Sequence, residues 1–113
     1  MVPANFHFKN NIIYKEGKIF ISLESDIVKI LQLEDSLVIL LTYNPAIGNQ
    51  NVYCYTYDQK IKWCISKPEE FHEDNYFTGI YLKNTDLYIY NINGVEYHVN
   101  KETGAFLSSE LIK

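Results

Sequence analysis

Short apolar runs, rich in β-branched and aromatic residues, alternate along this chain with clusters of turn formers. That pattern predicts strands. Ile12, Ile13 and Tyr14, then Ile19, Phe20 and Ile21, flank Glu16-Gly17-Lys18. The spacing predicts a hairpin whose glycine supplies the positive-φ position. Residues 5–8 read as a short strand before it. Residues 27–33 and 37–43 read as two strands around Glu34-Asp35-Ser36. A helix competes there, with Ser25 as cap and Ile27, Ile30 and Leu31 at helical spacing. The β-branched content and the hairpin pattern of a matching later stretch favour strands. Residues 52–57 and 61–65 form a third hairpin around Asp58-Gln59-Lys60. Setting Tyr55 opposite Trp63 gathers Tyr53, Tyr55, Tyr57, Ile61, Trp63 and Ile65 on one face, and a slip by one would scatter them. Leu37-Val38-Ile39-Leu40-Leu41 is apolar on both faces, so that strand is expected to be covered on both sides.

The runs repeat. Residues 30–40 align with residues 80–90, and Val52-Tyr53-Cys54-Tyr55 aligns with Val95-Glu96-Tyr97-His98, with Trp63 opposite Phe106. Tight turns at Asn84-Thr85-Asp86, Asn93-Gly94 and residues 101–104 make successive strands antiparallel neighbours. The expectation is an all-β single domain over 1–113, an antiparallel meander of roughly nine or ten strands. It consists of an N-terminal hairpin (1–24) and two four-strand units, 27–65 and 77–111, of propeller-blade type. Two segments break the repeat: the loop 44–51 in the first unit, and the linker 66–76, with Pro68 and four acids, between the units.

The stretch 51–63, Asn-Val-Tyr-Cys-Tyr-Thr-Tyr-Asp-Gln-Lys-Ile-Lys-Trp, resembles a blade of the quinoprotein-type β-propellers. In that family a turn, often with Asp and Gly, precedes a Trp in the last strand. The first unit has Trp63 without the turn glycine, and the second has Gly104 with Phe106 in the Trp place. The resemblance covers about two blades, whereas propellers close with at least about four. It implies a local blade architecture and no cofactor, because the family's quinone-binding residues have no matched positions.

Composition narrows the functional classes. The net charge is −4, and the ten cations are all lysine. Without arginine the bidentate reading of phosphate and guanine is missing, which argues against nucleic acid as a partner. No apolar run reaches the roughly eighteen residues of a membrane span, so no membrane partner is expected. No secretory leader is visible, so a cytoplasmic location is expected.

Candidate chemistry is sparse. In the register above Cys54 and Cys64 face each other, a geometry open to a cross-strand bridge, although a reducing compartment favours two free thiols. Two cysteines are too few for a zinc site. Glu96 and His98 share one face of a strand and, with a tyrosine, contain the parts of an acid–base pair, but no nucleophile accompanies them. Catalytic and metal-binding residues are therefore expected to be absent, and cofactors with them. Tyrosine rows (Tyr53, Tyr55, Tyr57; Tyr76, Tyr81, Tyr88, Tyr90, Tyr97) suit either packing between strands or a sticky surface. Partner-binding residues are expected on the linker and long loop: Glu69, Glu70, His72, Glu73, Asp74, Asn49, Asn51 and Tyr76. The profile predicts a non-catalytic protein-binding module, with an acidic immunity or inhibitor protein directed at a basic toxin as its best specific form. A self-associating propeller-like domain and a small-ligand or carbohydrate binder are the alternatives.

Overall fold

The computed structural model describes residues 5–66 and 75–112. Among the described residues eleven strands, rather than the nine or ten expected, fall into three antiparallel sheets, each ordered as in sequence. The N-terminal sheet contains β1 (Phe6–Lys9), β2 (Ile12–Lys15) and β3 (Lys18–Ser22). The middle sheet contains β4 (Ile27–Gln32), β5 (Ser36–Leu41), β6 (Val52–Thr56) and β7 (Ile61–Cys64). The C-terminal sheet contains β8 (Phe77–Lys83), β9 (Asp86–Asn91), β10 (Val95–Val99) and β11 (Phe106–Leu111).

The two four-strand units are thus present, and residues 27–32 are strand rather than helix. The expected continuous meander is corrected: pairing stops between β3 and β4 and between β7 and β8. At the first break the backbone bonds elsewhere. Leu23 N and Ile27 N donate to the carbonyls of Asn11 and Asn10, and Thr42 N donates to Asp26 O. The Asn11 amide donates to Leu23 O, and Ser25 Oγ to Thr42 O. With these groups satisfied in the crossing, the chain leaves one ladder and starts another.

Turn chemistry behaves as the residues require. Glu16 and Gly17 both have positive φ, 53° and 79°, which matches the right-handed strand twist across a two-residue hairpin. Equivalent bulges mark the repeat: the register leaves Val28 unpaired in β4 and Thr78 unpaired in β8.

The sheets stack face to face. Leu37, Ile39 and Leu41 of β5 pack with Ile13 and Phe20 of the N-terminal sheet. Val38 and Leu40, on the opposite face, pack with Phe77, Ile80, Leu87 and Ile89 of the C-terminal sheet. All six residues of β5 are buried, so this strand is the centre of two cores, as its unbroken apolar run requires. Each such side chain contributes about 1.5–3 kcal/mol by leaving water.

The expected pairing of Tyr55 with Trp63 is corrected. Cys54 lies opposite Trp63 and Tyr53 opposite Cys64, and a bulge at Lys62 brings Tyr55 opposite Ile61. The extra residue lets Trp63 join Val52 and Cys54 in the core shared with the C-terminal sheet, while Tyr53, Tyr55 and Tyr57 face the N-terminal sheet. The two cysteines are therefore not cross-strand partners, and both are free thiols. Burial pushes both thiols up, so neither is primed as a nucleophile.

Candidate binding face

The stack leaves one face of the C-terminal sheet without a covering sheet. Strand alternation sends Ile80, Leu87, Ile89, Tyr97 and Val99 inward and their neighbours outward. Tyr88 lies opposite Tyr81 on one side and His98 on the other. The three rings form a continuous stacked row: Tyr81 to Tyr88 at 5.4 Å and 18°, Tyr88 to His98 at 5.0 Å and 22°. In the next row Tyr90 lies opposite Gly79 and Glu96. A Cβ on Gly79 would sit 1.9 Å from the Tyr90 ring, so that ring lies flat across β8 because residue 79 has no side chain. A glycine inside a strand run, as Gly79 is, is a sequence signal of such close approach.

Polar groups fix the platform. The Tyr81 hydroxyl donates to Glu96 Oε1. This hydrogen bond to a carboxylate, with burial and the negative field of Glu96 adding to it, pushes the Tyr81 phenol up to about 12. His98 Nε2 lies 3.7 Å from Asp86 Oδ1. Glu96 and His98 do share one face, as their spacing predicts, and Tyr81 joins them. The group offers flat aromatic surface, hydroxyls and carboxylates, which suits recognition. Among the described residues no cluster of histidine, cysteine or carboxylates is arranged to hold a metal ion.

A groove of about 450 Å³ runs along β10 and β11, between the Asn75 and Asn91 amides and the side chains of Tyr97, Phe106 and Leu111. Its amide end is organised. Asn91 Oδ1 accepts from the backbone of Asn93 and Val95, and the Asn91 and Asn93 amides donate to Asn75 Oδ1.

The residues expected to meet a partner divide three ways. Glu69, Glu70, His72, Glu73 and Asp74 lie outside the described residues. Tyr76 is half-buried and stacks on Tyr43, at 4.5 Å and 14°, so the end of the linker meets the start of the 44–51 loop. Asn49, in that loop, is likewise half-buried. Asn51 was expected among the surface loop residues, but it is fully buried. Its amide donates to Leu41 O and Phe77 O, each at 2.8 Å, while its Oδ1 accepts from Phe77 N at 2.9 Å. This side chain replaces one rung of a ladder between the middle and C-terminal sheets, which removes it from the surface and makes it structural.

Trp63 of the first unit and Gly104 of the second also meet. The Trp63 indole donates from Nε1 to Lys101 O at 2.7 Å. It covers Gly104, whose φ is 76° and where a Cβ would lie 2.7 Å from the indole. Lys62, beside Trp63, bridges Asp35 at 3.0 Å and Glu102 at 2.9 Å.

A family model described as a domain of unknown function (DUF7957) matches residues 4–111. The chain belongs to this family. No curated protein matches the chain. Among solved structures, the family's fold as seen here is similar to the crystal structure of the computationally designed Ika8 protein, with a TM-score of 0.60 at 11% identity. That similarity covers 93% of this chain and 35% of the designed chain, so this DUF7957 chain spans about a third of the length of the structure it matches.

Proposed function

We propose that the protein is a non-catalytic protein-binding module, acting in the cytoplasm, whose stacked sheets fan out in a propeller-like manner and whose outer C-terminal face receives the partner. The observation that carries this reading is the uncovered row Tyr81–Tyr88–His98 with Tyr90 and Glu96 beside it. Tyrosines held rigid by stacking and hydrogen bonding give large contact area at little entropic cost, the quality of interface anchors. Two features support the fan: equivalent bulges at Val28 and Thr78, and the docking of Trp63 onto Gly104 of the next unit.

An acidic inhibitor of a basic toxin remains the specific form proposed, supported by the net charge of −4. The test is affinity capture from the source cell with the wild-type chain and a Tyr88→Glu variant. A partner that binds the wild type, is lost with the variant and weakens with salt is expected. Equal capture by both chains would reject this face as the binding site.

A further inference from the structure

Among the described residues the facing surfaces of neighbouring sheets pack together, which leaves one outer face on each of the two terminal sheets. The C-terminal one is described above. On the N-terminal sheet Phe6, Ile13 and Ile21 point into the core, so His7, Lys9, Ile12, Tyr14 and Ile19 point outward. His7 stacks on Tyr14 at 5.1 Å and 11°, and Ile19, opposite Tyr14, is 63% exposed. Both outer faces therefore carry a stacked tyrosine–histidine pair.

Their charges differ in sign. On the C-terminal face Glu96 lies directly opposite Glu110 on the neighbouring strand. Like charges in that position destabilise a sheet unless a cation comes between them. On the N-terminal face Lys9 is exposed. The C-terminal face also carries Asp86 opposite Lys83, so its carboxylates outnumber its lysine. Two C-terminal faces brought together would oppose an excess of carboxylates, and two N-terminal faces would oppose lysine to lysine. The mixed pairing sets a basic face against a net acidic one, and it repeats the sheet-on-sheet packing already used twice within the chain.

We propose that the outer face of the C-terminal sheet docks the outer N-terminal face of a second copy of this chain, continuing the stack head to tail. The inference rests on the reading of the C-terminal face as a protein-binding face and seats a second copy there in place of a toxin. The interface is heterologous, so it closes into a ring when the rotation per copy allows and otherwise extends.

Static light scattering over a micromolar dilution series tests it. The wild-type chain is expected at no less than twice its 13.3 kDa, with the mass falling as salt rises. Ile19→Glu spoils only the N-terminal face and Tyr88→Glu only the C-terminal face. Each variant alone is expected to be monomeric. Mixed in equal amounts they are expected to form a 1:1 dimer and stop there, because one sound face of each kind remains. Circular dichroism checks that both variants are folded. Lys9→Glu, at an exposed position, is a second probe that leaves the cores untouched and is expected to weaken assembly. A wild-type chain that stays monomeric throughout overturns the inference, as does a mixture that stays monomeric or a single variant that still dimerises. If the wild type is monomeric yet captures a different protein through Tyr88, the self-docking fails and the binding-module reading stands.

Discussion

One amide, that of Asn51, ties the middle and C-terminal sheets together. Its three hydrogen bonds satisfy the carbonyls of Leu41 and Phe77 and the N–H of Phe77, all in a place water does not reach. Alanine at 51 leaves these groups unpaired. Each buried orphan costs about 1–3 kcal/mol, so Asn51→Ala is expected to lose about 3 kcal/mol or more. A urea melt read by tryptophan fluorescence checks this, with the midpoint falling and the slope unchanged. Asn51→Asp should also lose stability, because a carboxylate cannot donate to the two carbonyls. A loss below about 0.5 kcal/mol for both variants would contradict the clasp. Nothing in the sequence separates Asn51 from its neighbours Asn44 and Asn49, because a turn-forming asparagine and a buried clasp use the same side chain. The distinction exists only once Phe77, 26 positions away, is brought alongside.

Between elements, the contact of greatest consequence is Trp63 on the β10–β11 turn. Trp63→Phe removes the bond to Lys101 O and part of the buried ring, at an expected cost of about 1–3 kcal/mol. Gly104→Ala forces a side chain into a left-handed backbone and against the indole, at an expected cost of about 1–3 kcal/mol or more. The smaller ring relieves the clash, so the double variant should lose less than the sum of the two. A double-mutant cycle in urea reads that coupling, and strict additivity would mean the indole does not rest on the glycine. Lys62→Met should change stability by no more than about 1 kcal/mol, since both its carboxylate partners are largely exposed. Much of this level was legible in the sequence. The turns at Gly17 and Gly94 and the doubly buried β5 follow from residue type and alternation. The β6–β7 register was not legible, because the bulge at Lys62 has no composition of its own. It exists to turn Trp63 towards the other unit's Gly104, a long-range demand that a local pattern of alternating residues cannot express. The sheets divide where the three expected segments meet, but how the first crossing is bonded was not legible for the same reason: Asn10 and Asn11 cap the crossing after β3 from a distant turn.

For the whole molecule, the tyrosines set an alkaline limit to stability. Tyr81 is pushed up to about 12 by its hydrogen bond to Glu96, and Tyr53, Tyr55 and Tyr57 are raised chiefly by burial. A phenol of the unfolded chain titrates near 10. Between about 10 and about 12 the folded chain therefore holds protons that the unfolded chain has released, and stability falls as pH rises. Below about 10 both states keep the proton, so this contribution is complete and constant at neutral pH. Thermal melting from pH 9 to pH 12 should show a steep decline in the wild type. Glu96→Gln removes the anion that holds the Tyr81 proton. Its phenol should return towards the ordinary value in an ultraviolet titration, and the alkaline decline should become shallower. Tyr81→Phe should flatten the curve to a similar degree, while Tyr53, Tyr55 and Tyr57 sustain the remainder in both variants. An unchanged Tyr81 titration in Glu96→Gln would show that the carboxylate does not hold the phenol. The outer face would then lose the polar tie that keeps its aromatic row flat and ready for a second surface.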